Sequence, residues 1–175
     1  MIITDKEHLF GVTWEVMEIA DTWVYGPINF IIDYEVVPKS YPFNYKIETV
    51  FYNLQNSFWN KIYLENSEGE LGELGDRKIN YTKLDFGEEL NIFEIETTEM
   101  GDKTDDNCRV GCTHMWLGYD GNEERLIYST DFGQTYREIR LPRNTVETVI
   151  MSLPTNTELL ENGVTTKHSQ LKNNP

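Results

Sequence analysis

Cationic residues are scarce in this sequence: 15 Lys and Arg stand against 30 Asp and Glu, a formal net charge of -15. A field of that sign repels nucleic acid and anionic membrane and attracts basic surfaces, so no direct nucleic-acid or membrane partner is expected. Cysteine is nearly absent, with only Cys108 and Cys112, too few for a disulfide scaffold. No apolar run approaches a membrane span, and the opening Met1-Ile2-Ile3-Thr4-Asp5-Lys6-Glu7 lacks the layout of a secretory signal, so a cytosolic location is expected. Phosphate-binding glycine loops, Gly-x-Gly-x-x-Gly and His-Glu-x-x-His are missing too, which removes the common announcements of nucleotide and zinc-hydrolase chemistry.

What is present is apolar material. Hydrophobic residues make up 39% of 175 residues and aromatics 13%, enough to fold and too much for a disordered chain. Val12, Trp14 and Val16, followed by Ile19, carry the period of one half-buried strand, and the runs on either side of Gly26-Pro27 up to Pro38 predict two more. The period then changes. Ile47, Val50, Phe51, Leu54, Phe58 and Ile62 fall three and four apart, so a long amphipathic helix is predicted over about 45–62. Strands follow around 90–97, 114–119, 125–128 and 135–141, with Asp120-Gly121 as a hairpin turn. A short helix over about 145–153 has Thr145 as its expected N-cap and stops before Pro154. The fold class is therefore α+β, mainly antiparallel sheet. One domain over 1–163 and a polar tail over 164–175 are expected.

Between Glu65 and Asp106 lie fourteen acids and four bases, in a stretch that includes a glycine-rich loop. A solvated face explains such a run, and a docking surface for a basic partner is the competing reading. Ser129-Thr130-Asp131-Phe132-Gly133-Gln134-Thr135-Tyr136 resembles the Asp-box, Ser-x-Asp-x-Gly-x-Thr-aromatic, in which side chains staple a hairpin turn. A sialidase propeller needs several such repeats, and a single copy points to structural use. Cys108, Cys112 and His114 bring three zinc-ligand types together, but a closed site needs a fourth. Asp102-Lys103-Thr104-Asp105-Asp106 lacks the glycine and closing glutamate of a calcium loop. His8, His114 and His168 stand in no catalytic frame. No cofactor and no enzymatic activity are expected.

Phe10-Gly11, Trp23-x-x-Gly26-x-Ile28-x-Phe30-x-Ile32, Pro38, the helix from Ile47 to Ile62 and the Ser-x-Asp-x-Gly hairpin together resemble bacterial immunity proteins encoded beside polymorphic toxins, including those of contact-dependent growth inhibition. The resemblance implies a cytosolic antidote that binds a cognate toxin domain, often a nuclease with a basic cleft. Charge and family habit point to a ribonuclease, of the EndoU type, as the partner. An acidic adaptor for another basic partner, or a small hydrolase, are the alternatives. Candidate partner-binding residues are Glu65, Glu68, Glu70, Glu73, Asp76, Asp102, Asp105 and Asp106, with Trp59 as the aromatic anchor. Core packing is the first expectation for each of Trp14, Trp23, Trp59 and Trp116, and only Trp59, one position off the apolar helical stripe, competes as a surface anchor.

Overall fold

The computed structural model describes residues 1–37, 44–59, 73–81, 92–97, 113–131 and 133–161. Three antiparallel sheets and three short helices make up the described chain. The first sheet takes strands β1 (Ile2–Thr4), β2 (Phe10–Trp14), β5 (Ile28–Ile32) and β6 (Glu35–Val37) in the order β1-β2-β5-β6. The second has the order β3-β4-β7, from β3 (Glu18–Ala20), β4 (Trp23–Gly26) and β7 (Tyr45–Lys46). The third is ordered β11-β10-β9-β8, from β8 (Ile92–Ile95), β9 (His114–Asp120), β10 (Glu123–Ser129) and β11 (Arg137–Pro142). Helices α1 (Ile47–Trp59), α2 (Thr145–Met151) and α3 (156–161) complete it.

Alternation along β2 and β5 sends Phe10, Val12, Trp14, Ile28, Phe30 and Ile32 into one core. Trp14 meets Phe51 of α1 edge-on, with ring centroids 5.2 Å apart. The α1 stripe of Ile47, Val50, Phe51, Leu54 and Phe58 is buried as its spacing requires, and Ile62 lies outside the described residues. The helix is shorter than the predicted 45–62, because Tyr45 and Lys46 pair with β4 as a strand before α1 begins. Ser57, buried on α1, donates to the Asn53 carbonyl and accepts the Glu96 N–H, fastening the helix to the end of β8.

Several strand boundaries differ from those the alternation predicts. The rhythm from Val12 to Ile19 is two strands, β2 and β3, in different sheets. Gly26 marks the crowded point nearby: a Cβ there would lie 1.7 Å from the Glu15 carbonyl oxygen, so only glycine lets β4 pass. The run ending at Pro38 is likewise a hairpin, β5–β6, whose turn residues Asp33 and Tyr34 both hold positive φ, 51° and 63°. Asp tolerates that region and Tyr does not favour it, which is why the sequence shows no turn there.

The expected staple at 129–135 is present. Ser129 Oγ donates to Asp131 Oδ1 and accepts the Gly133 N–H, each at 2.8 Å, while Asp131 accepts both the N–H and the hydroxyl of Thr135. Gly133 sits at φ 74°. Although burial opposes its charge, these bonds hold the Asp131 carboxyl below its ordinary value.

Thr145 is not the N-cap of α2. That position belongs to Asn144, in left-handed conformation and with no side-chain cap bond. The orphan N–H groups are satisfied from another strand: Glu124 of β10, fully buried, accepts the Asn144 N–H at 2.9 Å and the Val146 N–H at 2.7 Å. The adjacent Arg125 points to the opposite sheet face. Its guanidinium forks onto Glu138 of β11 at 2.6 and 2.7 Å and donates to the carbonyls of Gly75 and Arg77. Tyr81 also donates to Glu138. Residues 73–81 are thereby strapped over the outer face of the third sheet, above a small cluster of Leu74, Ile92 and Ile127.

Burial pushes the Glu124 carboxyl up to about 7, against the two N–H bonds that favour its charge. Between the unfolded glutamate value and that folded value the native state holds the extra proton. Stability should therefore fall as pH rises from about 5 to 7, by up to about 3 kcal/mol. Glu124→Gln should flatten that slope in denaturant melts at each pH, and an unchanged slope would contradict the assignment. Arg125→Met leaves the half-buried Glu138 with only the longer Arg140 pair at 3.6 Å and strips the Gly75 and Arg77 carbonyls of their donor, and it should cost about 2–3 kcal/mol. It should also speed hydrogen exchange at the Leu74 and Gly75 amides, which are bonded to the Tyr119 carbonyl.

Candidate partner-binding surface

Of the residues expected to meet a partner, Glu65, Glu68, Glu70, Asp102, Asp105 and Asp106 lie outside the described residues, as do Cys108 and Cys112. Glu73, Asp76 and Trp59 are described, and they do not come together. Glu73 and Asp76 are on the strap, where Glu73 pairs with Arg143 at 2.7 Å and Asp76 with Arg140 at 3.0 Å. The Arg143 hydrogen bond holds the Glu73 carboxyl below its ordinary value. Exposed pairs of this kind are worth only about 0–1 kcal/mol each, so Arg125 is the stronger fastening of the strap.

Trp59 lies elsewhere, at the end of the described part of α1, and is 54% exposed. Tyr52, seven residues earlier and so on the same helical face, is 57% exposed, and the two rings meet edge-on at 6.1 Å. They line a groove of about 410 Å³ whose other walls are Glu48, Gln55, Pro154, Thr155 and Asn156. Gln55 builds its floor by donating to the Leu153 carbonyl at 3.2 Å, which holds the link between α2 and α3 against α1. The far rim is a capping box: Thr155 donates both its N–H and its hydroxyl to Glu158, starting α3. On the near side Glu48 accepts the Val24 N–H of β4 at 3.2 Å.

Trp23 belongs to the same side of the molecule and is 43% exposed, against the expectation of core packing. Alternation on β4 turns Val24 inward and Trp23 outward, where Lys46 lies over its ring. Trp14 is in the core as expected, and Trp116 packs against the cluster beneath the strap.

Charge is unevenly placed. Four of the five described arginines, Arg125, Arg137, Arg140 and Arg143, hold carboxylates of the chain itself, on or beside the third sheet. Glu48 is the one acid among the described residues lining the groove, which include no Lys or Arg, and Glu158 is bonded to Thr155 of its rim. The groove can offer two aromatic faces and a negative surround to a cation.

His114 is half-buried on β9, and among the described residues no group of three or more His, Cys, Asp or Glu could hold a metal ion. No described helix is long and apolar enough to cross a membrane. The surface residues that sequence reasoning passed over are Tyr52, Trp23 and Asn156. The i, i+7 spacing of Tyr52 and Trp59 was the available signal for the first.

Comparison with curated proteins and with solved structures gives no match. A family profile does match: that of Immunity protein 42, over residues 1–156, which takes in all three sheets, α1, α2 and the start of α3. The chain belongs to the Immunity protein 42 family, an immunity protein as its resemblance to toxin antidotes implies.

Proposed function

We propose that this immunity protein neutralises its cognate toxin by laying an acidic surface in a basic cleft, and that the toxin is a nuclease, such as an EndoU-type ribonuclease. The observation that carries the reading is the combination of a net charge of -15 with arginines already engaged by the chain's own carboxylates. An acidic surface steers a basic partner in, competes with its polyanionic substrate and disfavours wrong partners through like-charge repulsion. Trp59 and the acids Glu65, Glu68, Glu70, Asp102, Asp105 and Asp106 are the residues the proposal assigns to that surface. Glu73 and Asp76 of the strap are left out of it, since Arg143 and Arg140 already neutralise them.

The reading is tested by co-expressing the chain with the toxin domain encoded beside it, purifying the complex and following association by stopped flow. A one-to-one complex should form, protect RNA or DNA from the toxin, and associate about tenfold or more slowly when salt rises from low to about 0.5 M. Protection without any salt dependence of association would contradict the electrostatic reading. Failure to bind or protect would contradict toxin neutralisation itself.

A further inference from the structure

We infer that the groove between α1 and the α2–α3 link is the docking point for an arginine of the toxin, stacked on Tyr52 and Trp59. The inference rests on the proposed toxin-binding function and names the surface that performs it.

Three observations select this place and this occupant. First, two large aromatic side chains seven residues apart on one helix face stand more than half exposed, although the chain buries most of its described aromatics. Truncating them would leave the core stripe of α1 untouched, so packing alone does not account for them. Second, the bonds that fix the α2–α3 link also shape the groove: Gln55 to the Leu153 carbonyl, the Thr155–Glu158 capping box, and Asn156 reaching the Thr22 carbonyl at 3.5 Å. Together these hold its walls before any partner arrives, which lowers the ordering cost of binding. Third, Glu48 lines the groove, Glu158 is bonded to Thr155 of its wall, and no Lys or Arg is among its described lining residues.

An apolar side chain would gain from the rings and nothing from the carboxylates, and a lysine would match the charge without the planar stacking. Arginine uses both, because its guanidinium lies flat on an aromatic face while its N–H groups reach carboxylates. Basic nucleic-acid-cleaving domains present such side chains in their clefts, so the same contact that holds the toxin would withdraw a cation from its substrate.

The test is titration calorimetry of a catalytically inactive form of the toxin domain encoded beside the chain, against the full-length chain and its variants. Thermal melts should first show Tyr52→Ala and Trp59→Ala as stable as the parent. Each should then weaken binding roughly 30-fold or more. Tyr34→Ala, at a hairpin tip that lines no part of the groove, should change it less than about threefold. Trp59→Phe keeps an aromatic face and should retain most of the affinity, while Trp59→Leu should not; equal affinity of the two would overturn arginine as the occupant. Parent-like binding by Tyr52→Ala and Trp59→Ala would overturn the surface and leave toxin neutralisation standing. Absence of binding by the parent chain would overturn both.

Discussion

Two buried ionisable side chains sit next to each other on β10 and face opposite ways, and the arrangement of the described chain follows from how each is satisfied. Glu124 turns toward the core and gives α2 the cap its own sequence does not provide, so that helix is fixed to the third sheet at its first turn. Arg125 turns outward and pins the 73–81 strap through Glu138 and two carbonyls. Either group left alone in a dry interior would be costly. The strand can carry both because each has its partners within hydrogen-bond reach. A placed α2 in turn places the link that Gln55 holds, and with it the groove beside α1.

The same economy decides which surface is available to a partner. Four of the five described arginines lie on or beside the third sheet, where carboxylates of the chain already occupy them. What remains toward α1 and α3 is acidic, with exposed aromatic rings. For a protein whose family is defined by immunity, that sidedness matters more than total charge. A uniformly acidic surface would attract any basic protein, whereas a shaped groove with two rings can select a particular side chain at a particular angle.

Much of this was legible in the sequence and the rest was not, for definite reasons. The α1 stripe, the hairpin at Gly121 and the Ser129–Asp131–Thr135 staple are local patterns, and local patterns survive folding. Trp59, one step off the stripe, was the one tryptophan whose spacing also allowed a surface place, although core packing was the first expectation for it too. The cap of α2 was misassigned to Thr145 because the true acceptor, Glu124, is twenty residues upstream and reaches it only through the β10–β11 hairpin. The β5–β6 turn was hidden by Asp33 and Tyr34, where side-chain identity gives little sign of left-handed backbone. Trp23 was expected inside because hydrophobicity does not say which face of a short edge ribbon is covered. Glu73 and Asp76 looked like free acids since their arginines are 70 and 64 residues away in sequence. Nothing in the chain's periodicity brings Pro154–Asn156 beside Tyr52.

Hydrogen exchange of the chain, alone and with its inactive toxin domain, tests most directly where the partner sits. The account predicts new protection concentrated in the latter half of α1 and at residues 154–157, with the strap amides of 73–81 changed little, since Arg125 already holds them. Protection confined to the strap and the outer face of the third sheet, with 52–59 exchanging as in the free chain, would contradict it.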